Sequence, residues 1–197
     1  MKKNDVINVW IKSRANGEVV EEAERVIPVG RGYVIKAVDE SLLAHNISDE
    51  YSLEVSSKDA YGPRSRELIK LVPGKYFIEN NVSPVKGLIV NIDGLIGKVI
   101  STSPGRVMVD FNHPLSGKDM SYEIKIKNEV NDVLGKAKAV IKALIPQELE
   151  IELRDKELII NDVIGLPESV KSSVEKELKE VIGDNTGLIS IKFISKK

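Results

Sequence analysis

The chain has 197 residues, 42% of them hydrophobic and 30% charged, with a net charge of −1 and no cysteine. That length allows one or two globular domains with a real hydrophobic core, and the composition excludes a disordered chain. The balanced charge excludes bulk attraction to nucleic acid or anionic membrane, and the missing cysteines exclude disulfides, thiol catalysis and cysteine-ligated zinc.

Met1-Lys2-Lys3-Asn4-Asp5 carries no apolar segment of signal-peptide length, and no later run approaches the ~18 apolar residues of a membrane span, which predicts a cytoplasmic protein. Val6 to Lys12 reads as a strand closed by an Asn16-Gly17 turn. Glu18 to Glu22 leads away from that turn, and Val26 to Gly30 is a short apolar run. From Tyr33 the spacing becomes helical, with Val34, Ile35, Val38, Leu42 and Leu43 on one face and Asp39-Glu40-Ser41 toward water. Tyr51 to Val55 alternates as a half-buried strand, Val55 to Lys58 prolongs it, and Asp59-Ala60-Tyr61-Gly62 breaks it with turn chemistry.

Positions 63–112 have a different vocabulary and more basic than acidic residues. Leu68 to Val72 and Leu88 to Ile92 are apolar runs, the first cut off by a Pro73-Gly74 turn, and Leu95 to Ile100 and Val107 to Phe111 flank a Ser103-Pro104-Gly105 hairpin turn. His113-Pro114-Leu115-Ser116-Gly117 and the alternating strand Met120 to Ile126 then resume the earlier pattern. This predicts a module inserted into one loop of another domain, with Tyr61 at the exit and His113 at the re-entry. Gly135 to Ala143 is rich in Lys and Ala, and Ile145-Pro146 reads as a junction. Beyond it come a hairpin around Arg154-Asp155-Lys156, a helix opened by Pro167 and ended by Gly183, and a last strand from Leu188 to Ile194.

Several motifs fail. Gly94-Leu95-Ile96-Gly97-Lys98-Val99 has glycines too close together for a phosphate loop and Val99 in place of its Ser or Thr, and Gly30-Arg31-Gly32 lacks the third glycine of a dinucleotide loop. His45 and His113 cannot make a histidine-rich metal site, and His45 reads as a surface loop residue. No cofactor and no metal are expected.

The string Val29-Gly30-Arg31-Gly32-Tyr33-Val34-Ile35-Lys36, followed by a helix, Ile47-Ser48-Asp49-Glu50-Tyr51 and Asp59-Ala60-Tyr61-Gly62, resembles the FKBP-type peptidyl-prolyl isomerases. The insert closed by Asn112-His113-Pro114-Leu115-Ser116-Gly117 resembles their SlyD-like branch, in which an insert-in-flap chaperone module replaces the flap, and the tail is similar to that of the longer archaeal members. The resemblance implies an α+β class: an antiparallel sheet wrapped on one helix, an inserted mostly-β module and a small ββαβ carboxy-terminal domain. The expected domains are 1–62 with 113–145 for the isomerase, 63–112 for the insert and 146–197 for the tail.

It also implies roles. Tyr61 would donate its hydroxyl to a substrate carbonyl and the Ile35 N–H would hold a second. Val34 and Ile35 would form one wall, Val38 the floor and Tyr122 the opposite wall. Trp10 and Val20 would complete the cup with Glu21 beside them, and His113 and Leu115 would stand at the rim. Trp10, Glu21, Ala37 and Val38 depart from the usual pattern, which has Tyr, Asp, Gly and a larger apolar residue there. Leu71, Val72, Tyr76 and Phe77 are expected to hold clients at an exposed edge. The implied function is prolyl isomerisation coupled to chaperoning of unfolded or proline-containing polypeptides, with a homodimer formed through the tail's free strand edges. The alternative is a non-catalytic holdase or a dimeric adaptor on the same scaffold.

Overall fold

The structure is a computed structural model and describes residues 1–183 and 190–194. The chain divides into two compact units, Met1–Val55 with Met120–Lys197, and Ser56–Asp119. Among the described residues the first stretch forms β1 (Val6–Ala15), β2 (Glu18–Pro28), α1 (Lys36–Ala44) and β3 (Glu50–Val55). The second unit forms a 3₁₀ turn (Arg66–Leu68), β4 (Ile69–Pro73), α2 (Gly74–Glu79), β5 (Ile89–Ile92), β6 (Leu95–Ser103) and β7 (Arg106–Asp110). The return stretch forms β8 (Met120–Glu129), α3 (Val133–Leu144), β9 (Glu150–Arg154), β10 (Glu157–Asn161), α4 (Glu168–Ile182) and β11 (Ser190–Ile194).

In the first unit one antiparallel sheet runs β2-β1-β8-β3. Its buried face follows from period-two alternation: Ile7, Val9 and Ile11 on β1, and Met120, Tyr122, Ile124 and Ile126 on β8. β2 is an edge strand, and its glutamates keep that edge soluble, Glu22 pairing with Lys12 and Glu24 with Lys127. A second sheet runs β11-β10-β9, with β10 antiparallel to β9 and parallel to β11, so α4 is the crossover between the parallel strands. The core beneath it joins Leu158 and Ile160 of β10 to Val174, Leu178, Val181 and Ile182 of α4, and also to Ala137, Val140 and Ile141 of α3 and Val6 of β1. Each of the Val, Leu and Ile side chains among these stabilises the fold by roughly 1.5–3 kcal/mol when fully buried. The tail's core is thus built partly from residues before Pro146.

In the second unit a sheet runs β4-β7-β6-β5, all antiparallel. Val72, Val90, Val99, Val107 and Val109 gather around Phe77 of α2.

The architecture is mixed α and β with antiparallel sheets, compatible with the α+β expectation. Three details differ from it. The two runs expected between Glu18 and Gly30 are joined in one long strand, Glu18–Pro28, because pairing with β1 carries the polar middle of β2. The strand expected to run on to Lys58 ends at Val55, since Ser56 accepts the N–H groups of Asp59 and Ala60 in a turn. Pro73-Gly74 opens a helix, with Pro73 at its N-cap, and does not merely turn the chain. Leu188 and Ile189 of the expected last strand lie outside the described residues. Among the described residues no helix is long and apolar enough to cross a membrane.

Candidate functional site

The loop before α1 is fixed by a buried carboxylate. Asp39, in the first turn of the helix, accepts the Gly30 N–H at 2.7 Å and the Gly32 N–H at 2.8 Å, one on each oxygen. Both glycines sit at φ of +74°, where a side chain would be strained, so this Gly-x-Gly loop can aim two N–H groups at one carboxylate. Asp39, expected to face water, is 7% exposed. The two charge-assisted bonds replace the hydration it loses. Ile35 is the N-cap of α1 and its carbonyl accepts the N–H groups of Val38 and Asp39 at 3.0 Å each. The first N–H groups of a helix have no acceptor within it, which suits Ile35 to a ligand carbonyl.

Val34 and Ile35 are half-buried, whereas Val38 is 2% and Tyr122 6% exposed, so of the expected walls only Val34 and Ile35 reach solvent. Tyr33 and Val34 also line a cleft of about 830 Å³, closed on its other sides by β2 from Ala23 to Pro28 and by α3 near Gly135 and Ala139. Burial, with the Glu177 charge adding to it, pushes the Tyr33 phenol up to about 12.

The far end of α1 is tied to β3. Ser41 Oγ and the Tyr51 hydroxyl lie 2.8 Å apart, and the His45 ring stacks on Tyr51 with centroids 3.7 Å apart. Burial raises the Tyr51 phenol. His45, expected to be a surface loop residue, caps the helix and holds the Ser41 carbonyl through Nδ1 at 2.8 Å.

Strand pairing corrects the expected cup. Residues directly opposite share a face and successive residues alternate. Tyr122 lies opposite Ser13 and Leu53, while Trp10 lies opposite Lys125 and Glu24. Trp10 is therefore on the other face of the sheet from Tyr122, with the Lys125 ammonium 5.6 Å from its ring centre. Val20 falls at the bulge of β2, unpaired and exposed. Glu21 is opposite Ser13 but is bound to Arg25. Ile11 and the buried Ser13 stand on Tyr122's face instead, residues that the parity of Ile7, Val9 and Ile11 would have found.

In the second unit Tyr61 and His113 are brought together, their rings stacked at 4.5 Å with planes 1° apart. Ser116 Oγ donates to the Tyr61 carbonyl at 3.1 Å, and the Gly117 N–H donates to the Gly62 carbonyl at 2.8 Å. The Leu115 N–H donates to His113 Nδ1 at 3.2 Å, which leaves Nε2 as the protonated nitrogen of the neutral ring. Leu115 itself is half-buried.

The expected client edge is only partly exposed. Val72 and Phe77 belong to the unit's own core, because α2 folds Phe77 back onto the sheet, and Tyr76 is half-buried against them. Leu71 remains outside, directly opposite the exposed Met108. Pairing of Asn91 with Ile96 and of Ile89 with Lys98 puts Ile96 and Ile89 on that same outer face. These two are 69% and 61% exposed, and together with Leu71 and Met108 they give the sheet an apolar outer surface.

The sequence is similar to those of known proteins. A family profile described as "FKBP26, IF domain" matches residues 70–115. The short-type peptidyl-prolyl cis-trans isomerase of Methanocaldococcus jannaschii is 28% identical over 100 residues, covering 51% of this chain and 64% of that protein. A probable FKBP-type 16 kDa peptidyl-prolyl cis-trans isomerase of Pseudomonas fluorescens is 26% identical, covering 56% of this chain and 79% of that protein. The FKBP-type isomerase SlyD of Aeromonas hydrophila is also 26% identical, covering 57% of this chain and 56% of that protein. The chain thus spans less than two thirds of the Methanocaldococcus and Aeromonas proteins that it matches. Its similarity is to FKBP-type peptidyl-prolyl isomerases, at 26–28% identity over 51–57% of the chain.

Proposed function

We propose that this protein catalyses cis–trans isomerisation of X-Pro bonds and holds unfolded polypeptide clients on its second unit. The observation that carries the reading is the Gly30–Ile35 loop, fixed by Asp39 so that Val34 and Ile35 remain open to a ligand. The chemistry asks for little more. Rotation about an X-Pro bond faces a barrier near ~20 kcal/mol because the planar amide is resonance-stabilised. The twisted transition state has lost that resonance and is less polar, so an apolar surface that excludes water favours it without acid, base or nucleophile. Val34 and Ile35 supply that surface and the Ile35 N–H holds a substrate carbonyl; the hydroxyl-donor role that the resemblance gives Tyr61 is proposed for the second unit on its own.

The outer face of the β4-β7-β6-β5 sheet, with Leu71, Ile89, Ile96 and Met108, suits an unfolded chain that offers apolar side chains. Its edge strands suit pairing with an extended main chain. The test is a protease-coupled assay on a short X-Pro peptide beside proline-limited refolding of an unfolded protein. The reading expects acceleration of both, and greater on the protein because tethering raises the local concentration of prolines. Acceleration of neither leaves a non-catalytic holdase. We also propose a homodimer through the free edges of β9 and β11, for which sedimentation that stays monomeric at high micromolar concentration is the contrary result.

A further inference from the structure

Arg31 stands between the two glycines of the loop before α1, and its side chain is 9% exposed. Its guanidinium is held entirely by α4. Nε donates to Glu177 Oε2 at 3.0 Å, Nη2 meets the same oxygen, and Nη1 donates to Glu180 Oε2 at 2.5 Å. The Tyr33 hydroxyl donates to that Glu177 oxygen as well, at 3.2 Å. Glu177 and Glu180 are three residues apart on one helix, so a single face presents both carboxylates. The Asn4 side chain donates to the Glu180 carbonyl at 3.0 Å, which adds a second tie between α4 and the start of the chain.

The loop is therefore fixed twice, through its backbone by Asp39 and through its side chains by α4. Two glycines in five residues make such a loop costly to order, since glycine surrenders more backbone freedom than any other residue. Val34 and Ile35 follow it directly, and Tyr33 and Val34 form one end of the cleft along β2 and α3. Whatever sets Arg31 and Tyr33 sets where that wall stands.

We propose that the carboxy-terminal helix is a positioning element for prolyl isomerisation: Glu177 and Glu180, acting through Arg31 and Tyr33, hold the Val34-Ile35 wall in its ligand-competent place. The inference rests on the isomerase reading and gives the tail a part in it. Arginine is the residue this needs, because its planar fork takes two carboxylates at fixed angles where a lysine would act as a single charge.

The experiment measures kcat and KM for a short X-Pro peptide in the full chain and in the variants Glu177→Gln/Glu180→Gln, Arg31→Ala and Arg31→Lys, with thermal unfolding to confirm folding. Loosening the wall lowers the fraction of molecules ready to bind and so weakens apparent affinity by that fraction. The expected result is a KM raised about three- to tenfold with kcat within about twofold, and Arg31→Lys falling between Arg31→Ala and the parent. A role confined to stability shows the reverse, a kcat lowered by loss of active molecules with KM unchanged, and that overturns the proposal. So does a KM unaltered in folded variants. Should Arg31→Ala not fold, Glu180→Gln alone removes a single carboxylate from the solvent-exposed end of the clamp, and the same split in KM and kcat decides. A parent chain inactive on peptide and protein removes the isomerase reading itself, before any variant is compared.

Discussion

The Tyr61 ring is stacked on His113 and its carbonyl is held by Ser116, so replacing the phenol hydroxyl alone leaves the residue's other contacts in place. Tyr61→Phe is expected to lower kcat/KM by about ten- to a hundredfold, the effect of one lost hydrogen bond to the substrate at roughly 1–3 kcal/mol. Full activity of a folded Tyr61→Phe protein on peptide and protein substrates would remove Tyr61 from the mechanism. Asp162 offers a test of stability. It is enclosed at the end of β10, accepts the Leu166 N–H on both oxygens at 2.9 and 3.0 Å, and meets the Lys171 ammonium at 3.2 Å. The Leu166 N–H holds its carboxyl below the ordinary value, aided by Lys171. A carboxylate with a lowered folded pKa contributes stability above its unfolded pKa and loses it as pH falls through the folded one. Melting temperature should therefore fall on acidification below about pH 4. Asp162→Asn should start lower at neutral pH and show a shallower acid limb, and an unchanged limb in thermal scans argues against this source. Lys171, raised by Asp162, acts at the other end: its contribution is complete below its ordinary value and lost only as pH rises through the higher folded one. Neither Asp39 nor Asp162 was legible as a buried acid, since the backbone N–H groups that satisfy them come from loops whose course no side-chain periodicity records.

Elements were more legible than faces. Alternation located β1, β3 and β8, and helical spacing located α1 and α4. Trp10 takes its expected place from the resemblance and against the parity of Ile7, Val9 and Ile11, whereas Val20 is displaced by the pairing shift between Ser13 and Arg14. A bulge changes which residues share a face, and alternation alone does not mark it. The helix α2 is not legible as a helix because it is six residues long and begins at Pro73-Gly74, residues that usually punctuate. Its packing explains why Phe77 is core. Gly97 in β6 belongs to the same packing: a Cβ there would stand 2.6 Å from Val109 Cγ1 and 2.8 Å from Phe111 Cδ1. Overpacking of this kind costs about 1–3 kcal/mol, so Gly97→Ala should lower the stability of the second unit by that amount. Limited proteolysis within residues 56–119 reports it directly, and equal protection in parent and variant would show that the neighbours give way freely.

At the scale of the whole chain, the second unit is covalently continuous with the first yet has its own core around Phe77. The chain enters and leaves it at one place. Ser65 and Asn112 exchange hydrogen bonds, the Ser65 N–H to Asn112 Oδ1 at 2.8 Å and Asn112 Nδ2 to the Ser65 carbonyl at 2.9 Å, and Ile69 pairs with Asp110 just beyond. A short Gly/Ser loop in place of Arg66 to Asp110 therefore closes a gap of one strand spacing, about 5 Å, and leaves the Tyr61–His113 stack outside the cut. Much of the short-peptide isomerisation should survive, because Tyr61, Val34 and Ile35 all remain. The apolar outer face with Leu71, Ile89, Ile96 and Met108 goes entirely, so binding of an unfolded, proline-free chain and acceleration of proline-limited refolding should fall by at least about tenfold, the scale on which tethering raises effective concentration. The double variant Ile89→Glu/Ile96→Glu in the full chain separates this face from the mere presence of the unit. Both positions are largely exposed, so the fold should tolerate them, while two carboxylates disfavour an apolar client. Fluorescence anisotropy of a labelled unfolded chain reads both experiments. Undiminished binding by the shortened protein places the client surface outside residues 66–110, and undiminished binding by the double variant moves it from the outer face to a strand edge.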